Sequence, residues 1–327
     1  MRVLLIMPNF FEYPAIISDE LKRMGYEVDF FDDRPSTSPW VKAIIRINKN
    51  VIRHYIKNYF ESIMDTVRKK KYDVVFLISG QSLSFSNEMI KELKESQPQA
   101  KWYLYQWDSL RNFPYIEQMQ GYFDKCYSFD RQDVKQNPKL RFLPLFYCRQ
   151  YEEIGRDLPE NYKYDFCFVG TAHPKKYEFI NRMSSQLKSI YPKQFIYFFF
   201  PSRIVYVYRK LKNPELKHAK FNEFHYVPLK GAEMNEIYKE SKCVLDSPQA
   251  GQLGLTIRVL EALGAKKKLI TTNEDIVNYD FYRPENIYVY KDKFDLKAPF
   301  FTEEYQEIDK EVYKKYSLRS WLKEIFS

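Results

Sequence analysis

Cysteine, histidine and glycine are all scarce: 327 residues hold four cysteines, four histidines and nine glycines. Cys126, Cys148, Cys167 and Cys243 lie far apart with no paired spacing. That excludes a disulfide framework or a cysteine-rich zinc site and fits a reducing cytoplasm. His54, His173, His218 and His225 show no ligand spacing, so no metal site is expected. The glycines form no G-x-G-x-x-G, no G-x-x-x-x-G-K-[ST] and no G-x-S-x-G. A dinucleotide dehydrogenase would lack its phosphate loop here, and Asp32 and Asp33 at the end of the second strand lose the partner role they would have in one. No apolar run reaches the ~18 residues of a transmembrane helix. MRVLLIMPNF has no small-residue cleavage site after it and reads as a first strand, not a signal peptide.

Aromatic residues are abundant, at 18%, with 28 Tyr and 26 Phe. That density suits strand-rich cores and sugar-stacking surfaces. Domains run to roughly 100–200 residues, so this length implies two. The net charge of +9 is concentrated: residues 40–71 carry a local +7 and residues 203–220 a local +5.

The first part of the chain alternates strand and helix signals. RVLLIM (2–7), EVDFF (27–31), DVVFLIS (73–79), WYLYQ (102–106), YSF (127–129) and FLPL (142–145) read as strands. Helices are predicted near 14–24, 40–70 and 86–96. The polar stretch 148–164 reads as a linker. The alternation then restarts with DFCFVG (165–170), FIYFFF (195–200), FHYVPL (224–229), CVLD (243–246) and KKLITT (267–272). Helices are predicted at 175–190, 232–240, 256–264 and 311–326. Apolar strands alternating with helices imply parallel sheets covered on both faces, here in two successive α/β domains. The expected division is 1–147 and 148–310, with 311–327 joining the first domain.

GLTIRVLEALGAKKKLITTN (254–273) is the most informative segment. A glycine opens a helix on which Val259, Leu260 and Leu263 share one face. Arg258 and Glu261 lie about 60° apart on the opposite side. A helix N-terminus, a guanidinium and a carboxylate thus meet near the carboxyl edge of a parallel sheet, where open α/β folds bind ligands. Such groups suit a nucleoside diphosphate: Arg258 can clamp phosphate oxygens, and Glu261 can accept both ribose hydroxyls. A surface Arg–Glu pair at i, i+3 explains the same residues.

The pattern G-x-x-x-R-x-x-E-A, here Gly254, Arg258, Glu261 and Ala262, resembles the donor-binding region of GT-B glycosyltransferases. The stretches 228–273 and 168–180 are similar to the bacterial group of CgeB-like, capsule and exopolysaccharide transferases. The resemblance implies two Rossmann-like domains facing across a cleft, the first binding the acceptor and the second the donor. It places Arg258 and Thr256 near the diphosphate, Glu261 on the ribose, and Gly170 and Thr171 near the phosphates or sugar. Gly254 would open the phosphate-facing helix, and the backbone around Val227 and Leu229 would flank the base. The donor is a nucleoside diphosphate-sugar, a substrate and not a cofactor. The acceptor is a surface glycan or lipid-linked glycan, and no nucleic acid is expected. Many retaining members carry a glutamate eight positions before Glu261. Leu253 stands there, so inversion is expected.

The chain has no Asp-x-Asp pair, which argues against a metal-dependent GT-A transferase. An inverting reaction needs a base, usually from the first domain. Asp108 and Glu12 sit where its strands end; a helix N-cap and a first-turn charge explain them equally. His173 is a candidate for the phosphate or sugar. Lys175, Lys176 and Arg203 are candidate phosphate neighbours or a solvated face. Lys42, Arg46, Lys49, Arg53 and Lys57 form one helical stripe opposite Ile44, Ile47, Val51 and Tyr55. It reads as a solvated face or as a dock for the anionic inner face of a membrane, with RIVYVYRKLK (203–212) in support. A GT-B-fold sugar epimerase and a non-catalytic nucleotide- or nucleic-acid-binding protein are the rival readings.

Overall fold

The computed structural model describes the chain except residues 39–40, 42–43, 46–47, 81–82, 230 and 249–251. It divides into two compact units, Met1–Pro144 with Leu318–Ser327, and Leu145–Ser317.

Unit 1 is a six-stranded parallel sheet in the order β2-β1-β3-β4-β5-β6. Its strands are β1 (Arg2–Met7), β2 (Glu27–Asp32), β3 (Val74–Ser79), β4 (Lys101–Gln106), β5 (Lys125–Ser128) and β6 (Leu140–Phe142). Helices α1 (Tyr13–Arg23), α2 (Arg53–Val67), α3 (Asn87–Ser96) and α4 (Arg131–Gln136) connect them. Side chains alternate across the sheet, so each apolar strand feeds two cores. Leu4, Ile6, Val75, Leu77 and Leu104 pack with Ile56, Phe60 and Met64 of α2 and Leu93 of α3. Phe76, Tyr103 and Tyr105 point the other way. They meet Trp321 and Phe326 of the C-terminal helix, with Tyr105–Trp321 rings 4.6 Å apart and Tyr103–Phe326 rings stacked at 5.7 Å.

Unit 2 repeats the plan in the order β12-β11-β10-β7-β8-β9, again all parallel. Its strands are β7 (Tyr164–Thr171), β8 (Gln194–Phe199), β9 (Phe224–His225), β10 (Ser241–Asp246), β11 (Lys268–Thr271) and β12 (Ile287–Val289). Its helices are α5 (Arg149–Arg156), α6 (Pro174–Leu187), α7 (Arg203–Lys212), α8 (Gly231–Glu240), α9 (Ile257–Gly264), α10 (Pro299–Thr302) and α11 (Lys310–Lys315). The C-terminal helix of unit 1 is α12 (Leu318–Phe326). The chain is thus a pair of Rossmann-like α/β domains, as the alternating pattern predicts. Among the described residues no helix is long and apolar enough to cross a membrane.

Several local expectations change. The supposed linker contains α5, whose Tyr151, Ile154 and Gly155 are buried. Its polar reading comes from i, i+4 ion pairs on the outer face, Arg149–Glu153 and Arg156–Glu152. Gly155 is required there, because a Cβ would sit 2.5 Å from the Gly264 carbonyl oxygen. The helix expected at 311–326 is two, broken between Tyr316 and Leu318. The helix expected over 40–70 is also interrupted: a 3-10 turn at Lys49–Ile52 shifts the phase before α2. Val51 and Tyr55, expected on the apolar face, are 71% and 48% exposed. Lys49 turns inward, donates to the Phe85 carbonyl at 3.2 Å and lies 4.1 Å from the Tyr115 ring centre. The basic stripe is therefore not continuous at Lys49, and its members Lys42 and Arg46 lie outside the described residues. All four cysteines are buried free thiols.

Candidate nucleotide-sugar site

Parallel strands end together, so β7, β10 and β11 deliver Thr171, Asp246 and Thr271 to one edge of unit 2. Asp246 is fully buried and is the hub of that edge. One carboxylate oxygen accepts from the Thr256 hydroxyl at 2.9 Å and from Arg258 Nη1 at 3.1 Å. The other accepts from the Thr271 hydroxyl at 3.1 Å. A buried charge is tolerable only when paired and hydrogen-bonded in this way.

Arg258 rises from the first turn of α9, and its Nη2 donates to the Val169 carbonyl at 2.6 Å. Its guanidinium lies 5.1 Å from the Phe168 ring centre. Burial works against its charge, but Asp246 and Glu261 help to keep its pKa above the ordinary arginine value. Gly170 is needed beside it: a Cβ would lie 2.9 Å from Phe168 Cζ and 3.0 Å from Arg258 Nη2. Arg258 thus ties the ends of β7 and β10 together. Glu261, one turn on, is turned inward and is 7% exposed. Its carboxylate accepts from the Tyr238 hydroxyl at 3.1 Å and also hydrogen-bonds Tyr151. The two residues are therefore not an exposed surface pair, and α9 is buried almost all round.

The cations not committed to this network lie on α6 and α7. His173 is the N-cap of α6, and its Nδ1 lies 3.3 Å from Arg209 Nη1. Arginine only donates, so Nδ1 accepts and the proton sits on Nε2. Burial, with Arg209 and Lys176 nearby, pushes the His173 pKa down to about 4, which keeps the ring neutral at pH 7. Lys176, in the first turn of α6, is largely buried; burial and the charge of Arg258 lower its pKa to about 8, against a smaller pull from Asp246. Among the described residues Lys176 has no hydrogen bond and no ion pair, and Arg209 has no carboxylate partner. Two partly buried cations and a helix N-terminus therefore converge where one carboxylate is already engaged by Arg258. An anion fits that imbalance.

The remaining predicted residues surround this edge or lie in unit 1. Thr256 is the N-cap of α9. Gly254 is buried on the preceding loop, where its carbonyl accepts from Gln252 at 2.8 Å. Leu253 is 41% exposed. Arg203 opens α7, with Phe221 and Tyr226 ring centres 5.2 and 5.9 Å from its guanidinium. Val227 and Leu229 lie in the loop after β9, and the Val227 carbonyl accepts from the Tyr197 hydroxyl at 2.6 Å. The Tyr197 ring stacks on His225 at 3.8 Å. In unit 1, Glu12 is the exposed N-cap position of α1 but makes no side-chain cap bond. Asp108 follows β4 and caps no helix; the 3-10 helix beyond it starts at Pro114 with Phe113 as N-cap. Its carboxylate lies over Gly80, where a Cβ would be 2.5 Å from Oδ2.

Sequence reasoning missed Asp246 and Arg209. The signal for Asp246 was an acidic residue closing the apolar strand CVLD. Arg209 was hidden in RIVYVYRKLK, a segment in which the sequence singled out Arg203 and otherwise only the alternation of aromatic and basic residues.

No protein-family model matches the chain, and neither does any curated protein. Among solved structures, Anabaena HepE in complex with UDP and glucose has a TM-score of 0.58 at 8% identity, over 100% of this chain and 98% of that one. A glycosyltransferase from Rickettsia africae gives 0.51 at 14% identity, over 100% and 94%. The UDP-GlcNAc 2-epimerase of Methanocaldococcus jannaschii gives 0.48 at 11% identity, over 90% of each chain. The chain has the fold of solved glycosyltransferases.

Proposed function

We propose that the chain is a glycosyltransferase that moves a sugar from a nucleoside diphosphate-sugar to a surface glycan of the capsule, exopolysaccharide or lipopolysaccharide kind. One observation carries the reading: among the described residues Lys176 is a largely buried ammonium that makes no ion pair, beside Arg209 and the Arg258–Asp246 pair at a sheet's carboxyl edge. A diphosphate supplies the missing charge. Lys176 and Arg209 meet the phosphates, and His173 offers its Nε2 proton to a phosphate or sugar oxygen. Arg258 acts mainly by fixing Gly170 and Thr171 and by holding Asp246. Tyr197 and His225, beside Val227, form the flat surface for the base.

In the reaction, the acceptor oxygen bonds to the anomeric carbon as the carbon–oxygen bond to the diphosphate breaks. The diphosphate leaves with the bonding electrons, and Lys176 and Arg209 stabilise its growing charge without an obligatory metal. The acceptor proton passes to a carboxylate of unit 1, Asp108 before Glu12. Leu253 offers the sugar no polar group, which favours inversion. The work belongs on the cytoplasmic side, where such donors are made.

The test is release of nucleoside diphosphate from UDP-, GDP-, dTDP- and CMP-sugars (nucleoside monophosphate for the last) with glycan acceptors present. Acceptor-dependent release by wild type, lost in Asp108→Asn, is expected. No release from any donor would overturn the assignment.

A further inference from the structure

The outward face of α7 is apolar. Ile204, Val207, Tyr208 and Leu211 are 81%, 51%, 62% and 82% exposed. At about 100° per residue these four positions fall within one arc of about 100°. The helix has a separate inward side. Tyr206 packs against Phe200 and Phe224, and Arg209 reaches back to the Ala172 carbonyl and His173. Ser202 caps its N-terminus, accepting from the Val205 backbone at 3.2 Å. The exposed stripe is thus held on a well-anchored helix.

Cations line both borders of the stripe. Arg203 falls on one side of it and Lys212 on the other, with Lys217 and Lys220 following in the chain; Lys210, beside Arg203, turns its ammonium to the Ala219 carbonyl at 2.7 Å. Residues 203–220 contain six basic side chains and one acid, Glu215. Apolar side chains flanked by cations match the boundary between anionic headgroups and acyl chains, where long basic side chains reach up to the phosphates. A helix of ten residues cannot span a bilayer, so it lies in the plane of the surface.

We propose that α7 docks unit 2 on an anionic lipid surface, with Ile204, Val207, Tyr208 and Leu211 entering the interface. The docking needs no nucleotide and stands apart from the transferase reading. Its geometry also couples to the candidate site, because the opposite face of the same helix carries Arg209.

The test uses the full chain and sedimentation with vesicles of phosphatidylcholine, alone or with about one third phosphatidylglycerol. Wild type is expected to bind the mixed vesicles, weakly at high salt, and to ignore pure phosphatidylcholine. The double variant Ile204→Asp, Leu211→Asp should lose at least about tenfold in partitioning. Its melting curve should be unchanged, since both side chains face water. Lys212→Glu should weaken binding less. Equal binding by the double variant, or no vesicle binding by wild type, would overturn the proposal. If wild type ignored vesicles but self-associated, and the double variant were monomeric in sedimentation velocity, the face would belong to a second copy instead.

Discussion

Replacing Lys176 by Met should stabilise the free protein while weakening donor binding. Both effects follow from one property, a largely buried charge that makes no ion pair among the described residues. Its pKa falls from 10.5 to about 8. At about 1.36 kcal/mol per unit, keeping it protonated in the fold costs ~3 kcal/mol, or ~1–2 kcal/mol after allowing for its contact with solvent. Methionine has a similar shape and no charge, so that cost disappears. The sign with pH is fixed. Below pH 8 lysine is charged in both states and the folded state bears the full penalty. Between about 8 and 10.5 the folded state binds fewer protons than the unfolded chain, so wild-type stability gains on the variant as pH rises. Urea melts at pH 7 and pH 10 should therefore show an advantage for Lys176→Met that shrinks at the higher pH. A destabilised variant, or an advantage independent of pH, would refute the view of Lys176 as an unpaired cation.

Four further outcomes follow. Donor affinity in wild type should be flat from pH 6 to about 8 and fall above it, because Lys176 loses its proton near pH 8 while the diphosphate diester does not titrate. Asp246→Asn removes the carboxylate that Arg258 Nη1 bonds at 3.1 Å, so urea denaturation should show a loss of ~3 kcal/mol from unit 2. Gly170→Ala pushes on Phe168 and Arg258 Nη2 and should weaken donor binding about tenfold in calorimetry, with a smaller change in melting temperature. Trp321→Ala removes the ring that covers Phe76 and Tyr105, and should cost ~3–5 kcal/mol by chemical denaturation without changing donor affinity.

The strands were legible because doubly covered parallel strands are continuous apolar runs: RVLLIM, DVVFLIS and DFCFVG read themselves. The helix of Arg258 and Glu261 was legible too, but the orientation of its side chains was not. One-dimensional periodicity put both residues on a polar face. Packing of α5 and α8 instead buries Glu261 under Tyr151 and Tyr238. The candidate anion site was legible only in pieces. Lys176 reads from sequence equally as a phosphate neighbour or as a solvated charge beside Lys175, since sequence does not reveal which side chains of the first turn of α6 turn inward. Asp246 and Arg209 are 37 residues apart in the chain, so no local pattern could join them. The α5 segment was misread because its ion-paired outer face outweighs three buried positions.

The most direct measurement is calorimetric titration of wild type and Lys176→Met with UDP-, GDP-, dTDP- and CMP-sugars. The account predicts that at least one donor binds wild type and that Lys176→Met binds it ten- to a hundredfold more weakly, the range of a charge-assisted hydrogen bond of ~1.5–3 kcal/mol. Equal affinity for the two proteins, or no heat from any donor with wild type, would contradict a nucleotide-sugar site at this edge of unit 2.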